Sequence, residues 1–136
     1  MAAPPFPDDP RVDRVLAVYD ALQRRDWTAL QRQVAPLAVL RIGGRNRYAG
    51  VYRGLGQLVA LALQLEERLI PFRSEIDELA IEGDAVRALV TVSIRVPPAD
   101  VFRARLREVF RFDEEGLIRE LLVRGEDQRS LDRFLG

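Results

Sequence analysis

The stretch Val101-Phe102-Arg103-Ala104-Arg105-Leu106-Arg107-Glu108-Val109-Phe110-Arg111-Phe112 decides how the rest of this chain is read. Apolar and charged side chains alternate along it, the period of a strand with one buried face. Phe102, Ala104, Leu106, Phe110 and Phe112 share one face, and Arg103, Arg105, Arg107, Val109 and Arg111 share the other. Glu108 breaks the rule by falling on the apolar face. A carboxylate there is paired, protonated or facing a cavity, because burying a bare charge is too costly. The competing reading is a bulge that turns Glu108 outward, or a salt bridge to an arginine.

The neighbouring segments carry the same period. Phe72 to Glu82 and Ala85 to Val96 read as strands joined at Gly83-Asp84, with Val86, Ala88, Val90, Val92, Ile94 and Val96 on one face of the second. Pro97-Pro98-Ala99-Asp100 is read as the turn into the opening strand. Asp113-Glu114-Glu115-Gly116 is read as the turn out of it, into a last strand from Leu117 to Arg124. Together these make a four-strand antiparallel meander. A short helix from Asp127 to Leu135 ends the chain.

Upstream the period changes to that of helices. Asp9-Pro10 reads as N-cap and first residue of a helix striped by Val12, Val15, Leu16, Tyr19 and Leu22. Asp26 is expected to cap a second short helix, with Trp27 a core anchor and Pro36 its stop. Leu37 to Ile42 reads as a strand, Gly43-Gly44-Arg45-Asn46 as a turn, and Tyr48 to Tyr52 as a short returning strand. Gly54 and Gly56 introduce a third helix with Leu55, Leu58, Val59, Ala62, Leu65 and Leu69 inward, closed by Pro71. The predicted fold class is therefore α+β: a curved antiparallel sheet wrapped around helices, cone-shaped, with an apolar pocket. Residues 1–8 are Pro-rich and are expected to form a disordered tail, and residues 9–136 a single domain.

Composition narrows the chemistry. The chain has no cysteine and no histidine, and all 21 basic residues are arginine, balanced by 21 acidic ones. Thiolate chemistry, histidine bases, Schiff bases and metals held by cysteine or histidine are excluded. Any catalysis falls to Asp, Glu, Tyr and Arg, and neither a metal nor an organic cofactor is expected. The balanced charge argues against a nucleic acid or a membrane surface as partner. No apolar run reaches spanning length and the start lacks a basic region, so a cytoplasmic protein is expected. The arginine-only, alanine-rich usage fits a GC-rich bacterial genome.

Several short motifs resemble the SnoaL-like proteins of the nuclear transport factor-like cone-fold group. Val18-Tyr19-Asp20-Ala21-Leu22-Gln23-Arg24-Arg25-Asp26-Trp27 is similar to their first-helix signature. Tyr48-Ala49-Gly50-Val51-Tyr52-Arg53-Gly54 is similar to the Tyr-Arg-Gly lead-in to their third helix. Glu108-Val109-Phe110-Arg111-Phe112-Asp113 with Gly116-Leu117-Ile118 is similar to their hairpin. The group includes ketosteroid isomerase, scytalone dehydratase, polyketide cyclases and epoxide hydrolases. The resemblance places Glu108 where the isomerase has the buried acid of its oxyanion hole. It places Ile42 where that enzyme has its base, and Val90 and Val92 where limonene-type hydrolases have an Arg and an Asp. Polyether-type cyclases use two acids in an apolar pocket, which points to Glu66 or Glu67 as a second acid. The resemblance also implies a homodimer through the outer sheet face, where Leu89, Thr91, Ser93, Val109 and Leu122 sit among the arginines.

The expected site is therefore centred on Glu108 as catalytic acid or base, with Tyr19, Arg41, Tyr48, Tyr52, Phe110 and Val92 as candidate substrate contacts; the competing readings are a solvated strand face for Arg41, a core position for Tyr19 and rim packing for Tyr48 and Tyr52. Two readings stand. One is a cofactor-free enzyme that isomerises, cyclises, hydrates or opens an epoxide in a small apolar, polyketide-like molecule. The other is a non-catalytic ligand-binding or homodimeric accessory protein of the same fold.

Overall fold

The computed structural model describes residues 6–68, 72–96 and 100–136. Most of the expected tail (residues 1–5), Leu69 and Pro71 at the end of the third helix, and the turn at 97–99 lie outside the described residues. The elements run α1 (Pro10–Arg24), α2 (Trp27–Gln33), β1 (Val34–Ile42), β2 (Gly50–Arg53), α3 (Gly54–Arg68), β3 (Phe72–Glu82), β4 (Ala85–Val96), β5 (Asp100–Phe112), β6 (Ile118–Gly125) and α4 (Gln128–Leu135). Three helices start on an aspartate whose side chain accepts a backbone N–H of the first turn: Asp9 from Arg11, Asp26 from Ala29 and Asp127 from Ser130.

The six strands form one open sheet in the order β2-β1-β6-β5-β4-β3. The meander β3 to β6 is antiparallel as expected, but β1 runs parallel to β6, so the sheet is mixed. The connection that makes this possible is the whole of α3 and the meander, far longer than a hairpin. Long strands twist, and one defect adds to the curl. In β3, Ile76 pairs with Val90 and Glu78 with Leu89, which leaves Asp77 as an extra residue. The bulge lets both Ile76 and Leu79 pack inward, although they are three residues apart. It also leaves Asp77 on the outer face, where Thr91 Oγ1 donates to it at 2.5 Å.

One boundary differs from expectation. β1 begins at Val34, and Pro36 lies inside it instead of stopping α2. The register of β1 against β6 shifts between Val34 and Val39. Proline has no N–H for a ladder, so it is tolerated at this irregularity, where Pro36 and Leu37 are exposed.

Helices α1, α2 and α3 lie on the concave face of the sheet. Val12 and Val15 of α1 are fully buried, together with Val86 and Val90 of β4 and Phe110 of β5. This core fills one end of the cone, and the other end stays open.

Candidate functional site

The open end is a cavity of about 270 Å³ between the concave sheet face and the three helices. Its walls are almost wholly aliphatic, drawn from α1 (Val18, Leu22), α3 (Leu58, Leu65) and the sheet (Val90, Leu121), among others. Five of the residues that line it carry a hydroxyl or a charge: Tyr19, Arg25, Glu66, Ser74 and Glu108. They separate into a deep pair and a rim group.

Glu108 belongs to the deep pair. The β4–β5 ladder is unbroken from Ala85↔Arg111 to Val96↔Asp100, with Glu108 opposite Ala88 and, on the other side, Val123. No bulge turns it outward, so strict alternation aims its side chain at the cavity. Glu108 is 8 % exposed and lines the pocket. The Tyr19 hydroxyl donates to Glu108 Oε1. The Tyr19 ring is held edge-on against Phe110, with centroids 6.0 Å apart and planes at 74°.

Burial without a cation drives the Glu108 carboxyl from its ordinary 4.5 up to about 7, and the Tyr19 hydrogen bond offsets part of that rise. Burial, and then the charge of Glu108, hold the Tyr19 phenol well above its ordinary value, so it remains a donor. Among the described residues no buried side-chain oxygen or nitrogen lacks a partner. Glu108 Oε2 has no hydrogen-bond partner there, so it meets that condition by facing the cavity. One oxygen is fixed and the other is presented.

Val92 and Phe110 line the pocket, and so does Trp27, which the sequence suggests as a core anchor. Three of the candidate contacts do not line the cavity. Arg41 leaves the sheet on the outer side, where its Nε lies 3.4 Å from Glu120 Oε2 on β6. Its neighbours Leu40 and Ile42 line the pocket, as alternation along β1 requires. Tyr48 is buried but does not line the cavity, and Tyr52 donates its hydroxyl to the Tyr48 carbonyl at 2.7 Å. Both sit by β2, the far edge of the sheet, where they fasten the turn that leads into it. Of the two acids suggested as a partner for Glu108, Glu67 is exposed on α3 and Glu66 lies at the rim. Among the described residues no carboxylate hydrogen-bonds to Glu108, and no three His, Cys, Asp or Glu side chains group to hold a metal.

Of the rim group only Glu66 was suggested by the sequence, and Arg25 and Ser74 were not. Arg25 follows the last turn of α1 in the left-handed conformation, φ 54° and ψ 38°, and its backbone N–H caps Ala21 and Leu22 carbonyls. Its Nε lies 2.6 Å from Glu66 Oε1 on α3. Ser74 on β3 accepts from Gln23 Nε2 at 3.2 Å.

The profile of the SnoaL-like domain matches residues 15–121. The chain belongs to the SnoaL-like domain family. No curated protein sequence matches it. Among solved structures, this SnoaL-like domain is similar to Bal32a from a soil-derived mobile gene cassette, with 18 % identity and a TM-score of 0.85 over 93 % of this chain and 96 % of that one. It is similar to a nuclear transport factor 2-like protein of unknown function from Burkholderia pseudomallei, with 18 % identity and a TM-score of 0.83 over 94 % and 98 %. It is also similar to TerC, co-crystallised with polyporic acid, with 14 % identity and a TM-score of 0.81 over 93 % and 98 %. At these identities the likeness concerns the fold, which is the cone fold, here built around an apolar pocket for a small molecule. No helix among the described residues is long and apolar enough to cross a membrane.

Proposed function

We propose that this SnoaL-like domain is a cofactor-free enzyme in which Glu108 moves a proton on a small apolar substrate. The observation that carries the reading is the asymmetry of the carboxyl group: Oε1 is held by Tyr19 while Oε2 faces an apolar cavity. A carboxyl poised near neutral pH exchanges a proton with little cost in either direction. Tyr19 is committed to Glu108, so its role is to orient the acid.

A single acid favours some of the family's reactions over others. Isomerisation, or an intramolecular cyclisation through an enolate, needs one group that takes a proton from carbon and returns it. Hydration and epoxide opening need a base for water and an acid for the leaving oxygen. The walls at Ile42, Val90 and Val92 supply no second group. The reading therefore narrows to proton transfer next to a carbonyl. The same lack of a second acid favours the alternative, a ligand-binding protein that uses Glu108 as a hydrogen-bonding anchor.

Exchange of α-protons into D2O, followed by NMR over a panel of small apolar ketones and enones, tests both. The enzyme reading expects exchange that rises as pH passes about 7, because the ionised form is the base. It expects Glu108→Gln to slow that exchange by about 10²–10⁴-fold. Exchange that Glu108→Gln leaves unchanged sinks it. Binding without exchange at any pH leaves the ligand-binding reading standing.

A further inference from the structure

The pocket has two polar ends of opposite character. The deep end holds Glu108 and Tyr19, and no cation. The rim holds the only arginine that lines the cavity among the described residues. We infer that Arg25 is the receptor for a carboxylate at the mouth of the pocket, so that the ligand is an amphipathic acid with an apolar body directed at Glu108. This rests on the reading of the pocket as a small-molecule site and names the substrate class for it.

Three observations carry the inference. The first is backbone conformation. Arg25 is the only non-glycine residue with positive φ among the described residues. Helices that end this way take glycine or asparagine at the position, because a Cβ is crowded there. An arginine held there despite that cost places a long side chain at a helix end that opens on the cavity, and such outliers cluster at functional positions.

The second is the geometry of the pair. Glu66 engages Arg25 through Nε, at 2.6 Å. Among the described residues no guanidinium nitrogen of Arg25 makes a hydrogen bond, so Glu66 holds it by charge alone, and the side chain is 52 % exposed. The guanidinium thus keeps its N–H groups for a ligand, and its planar fork accepts a carboxylate in two parallel bonds. Glu66 lies on α3 and Arg25 at the end of α1, so the pair also fixes the width of the mouth.

The third is electrostatic sorting within the cavity. A ligand carboxylate pushed inward meets aliphatic walls and the Glu108 carboxyl, and nothing there repays its desolvation. The same group at the rim keeps part of its hydration and gains a cation. Arg25 lies six residues beyond Tyr19, which corresponds to about 9 Å along the helix direction. An acid whose apolar body is about that long reaches Glu108 while its charge stays at the mouth.

The chain's single tryptophan, Trp27, lines the pocket and reports occupancy by its fluorescence. The test is titration of the full chain with 4-phenylbutanoate and with 4-phenylbutan-1-ol, at about pH 8 and low salt. We expect the acid to bind about ten-fold more tightly than the alcohol, with the preference shrinking as salt is added. Arg25→Gln should abolish the preference while alcohol affinity is retained, which also shows that the variant is folded. Glu66→Gln removes the competing carboxylate and should tighten the acid several-fold without moving the alcohol. Glu108→Gln should leave the preference in place. Equal affinities in the parent chain, a preference that survives Arg25→Gln, or weaker acid binding in Glu66→Gln each overturns the inference. Failure of both ligands to bind overturns it together with the pocket reading. Failure of the proton-transfer reading alone leaves the rim preference intact and shows only in the exchange assay.

Discussion

Glu108 and Glu66 line the same cavity and have been given opposite circumstances. Glu108 is 8 % exposed and its partner is a neutral phenol. Glu66 has a side chain 24 % exposed and its partner is a guanidinium. The same functional group thus becomes a place to keep a proton in one setting and an anchored counter-charge in the other. What separates them is the strand or helix that carries them. β5 alternates strictly, so its one misplaced acid goes inward, far from any arginine of the outer face. α3 ends at the mouth, where solvent and the end of α1 are both within reach. Burial without a cation is what lifts the Glu108 carboxyl above its ordinary value.

The sharpest way to break this comparison is the pH dependence of stability. In the unfolded chain Glu108 loses its proton near its ordinary 4.5, whereas the native chain holds it to about 7. Between those values the native state binds more protons than the unfolded state, so stability falls as pH rises. The contribution is complete below about 4.5, is lost across the window, and is gone above about 7. The gap is worth about 3 kcal/mol. Glu108→Gln carries no such titration. The parent chain is therefore expected to lose about 3 kcal/mol relative to Glu108→Gln between pH 4.5 and 8, measured by urea denaturation at each pH. Taking the difference between the two chains cancels the titration of the exposed carboxylates. Parallel pH profiles would place Glu108 in contact with water and end the distinction from Glu66.

A smaller effect belongs to Tyr19. Tyr19→Phe leaves Glu108 Oε1 without its donor, the one side-chain hydrogen bond that the carboxyl group accepts among the described residues. The loss is expected to be about 1–3 kcal/mol, greatest at high pH where the carboxylate is ionised. The midpoint of the Glu108 titration should move above that of the parent, because the interaction that opposes burial is gone. An NMR titration of the Glu108 side chain reads this directly. A midpoint that falls contradicts the assignment of Tyr19 as donor.

The two acids also differ in how far they could be read in advance. Glu108 was legible because period-two alternation is rigid: one exception in a thirteen-residue strand has one meaning unless a bulge intervenes, and none falls at Glu108. The caps at Asp9 and Asp26 and the strand limits of β3 and β4 were legible for a similar reason, since they depend on neighbours a few residues away. The bulge at Asp77, the parallel pairing of β1 with β6 and Pro36 inside β1 depend on partners distant in the chain. Arg41 became a candidate contact only because its strand is otherwise apolar, and Tyr48 and Tyr52 because they flank a turn near the third helix. Each is placed by the position of β1 and β2 at the end of the sheet. Arg25 was the least legible. Nothing in the sequence beside the Asp26 cap marks Arg25, and only the left-handed turn there singles it out.

That turn yields the smallest predicted effect on stability. Arg25→Gly relieves the crowding of a left-handed Cβ, a gain of about 1–2 kcal/mol. It also loses an exposed ion pair worth about 0–1 kcal/mol, and it frees the unfolded backbone at a cost of about 0.5–1 kcal/mol. These nearly cancel, so the net change at pH 7 is expected to stay within about 1 kcal/mol of zero, measured by urea denaturation. Arg25→Ala keeps the crowded Cβ and loses the pair, and should fall below Arg25→Gly. If Arg25→Gly instead unfolds the chain, the Arg25–Glu66 pair is holding α1 to α3, and the two acids of this pocket share a structural role. If Arg25→Gly is as stable as the parent but has lost its preference for acids over alcohols, the arginine is kept at a strained position for what it binds. The contrast between the deep carboxyl and the rim carboxylate then describes the two ends of one ligand.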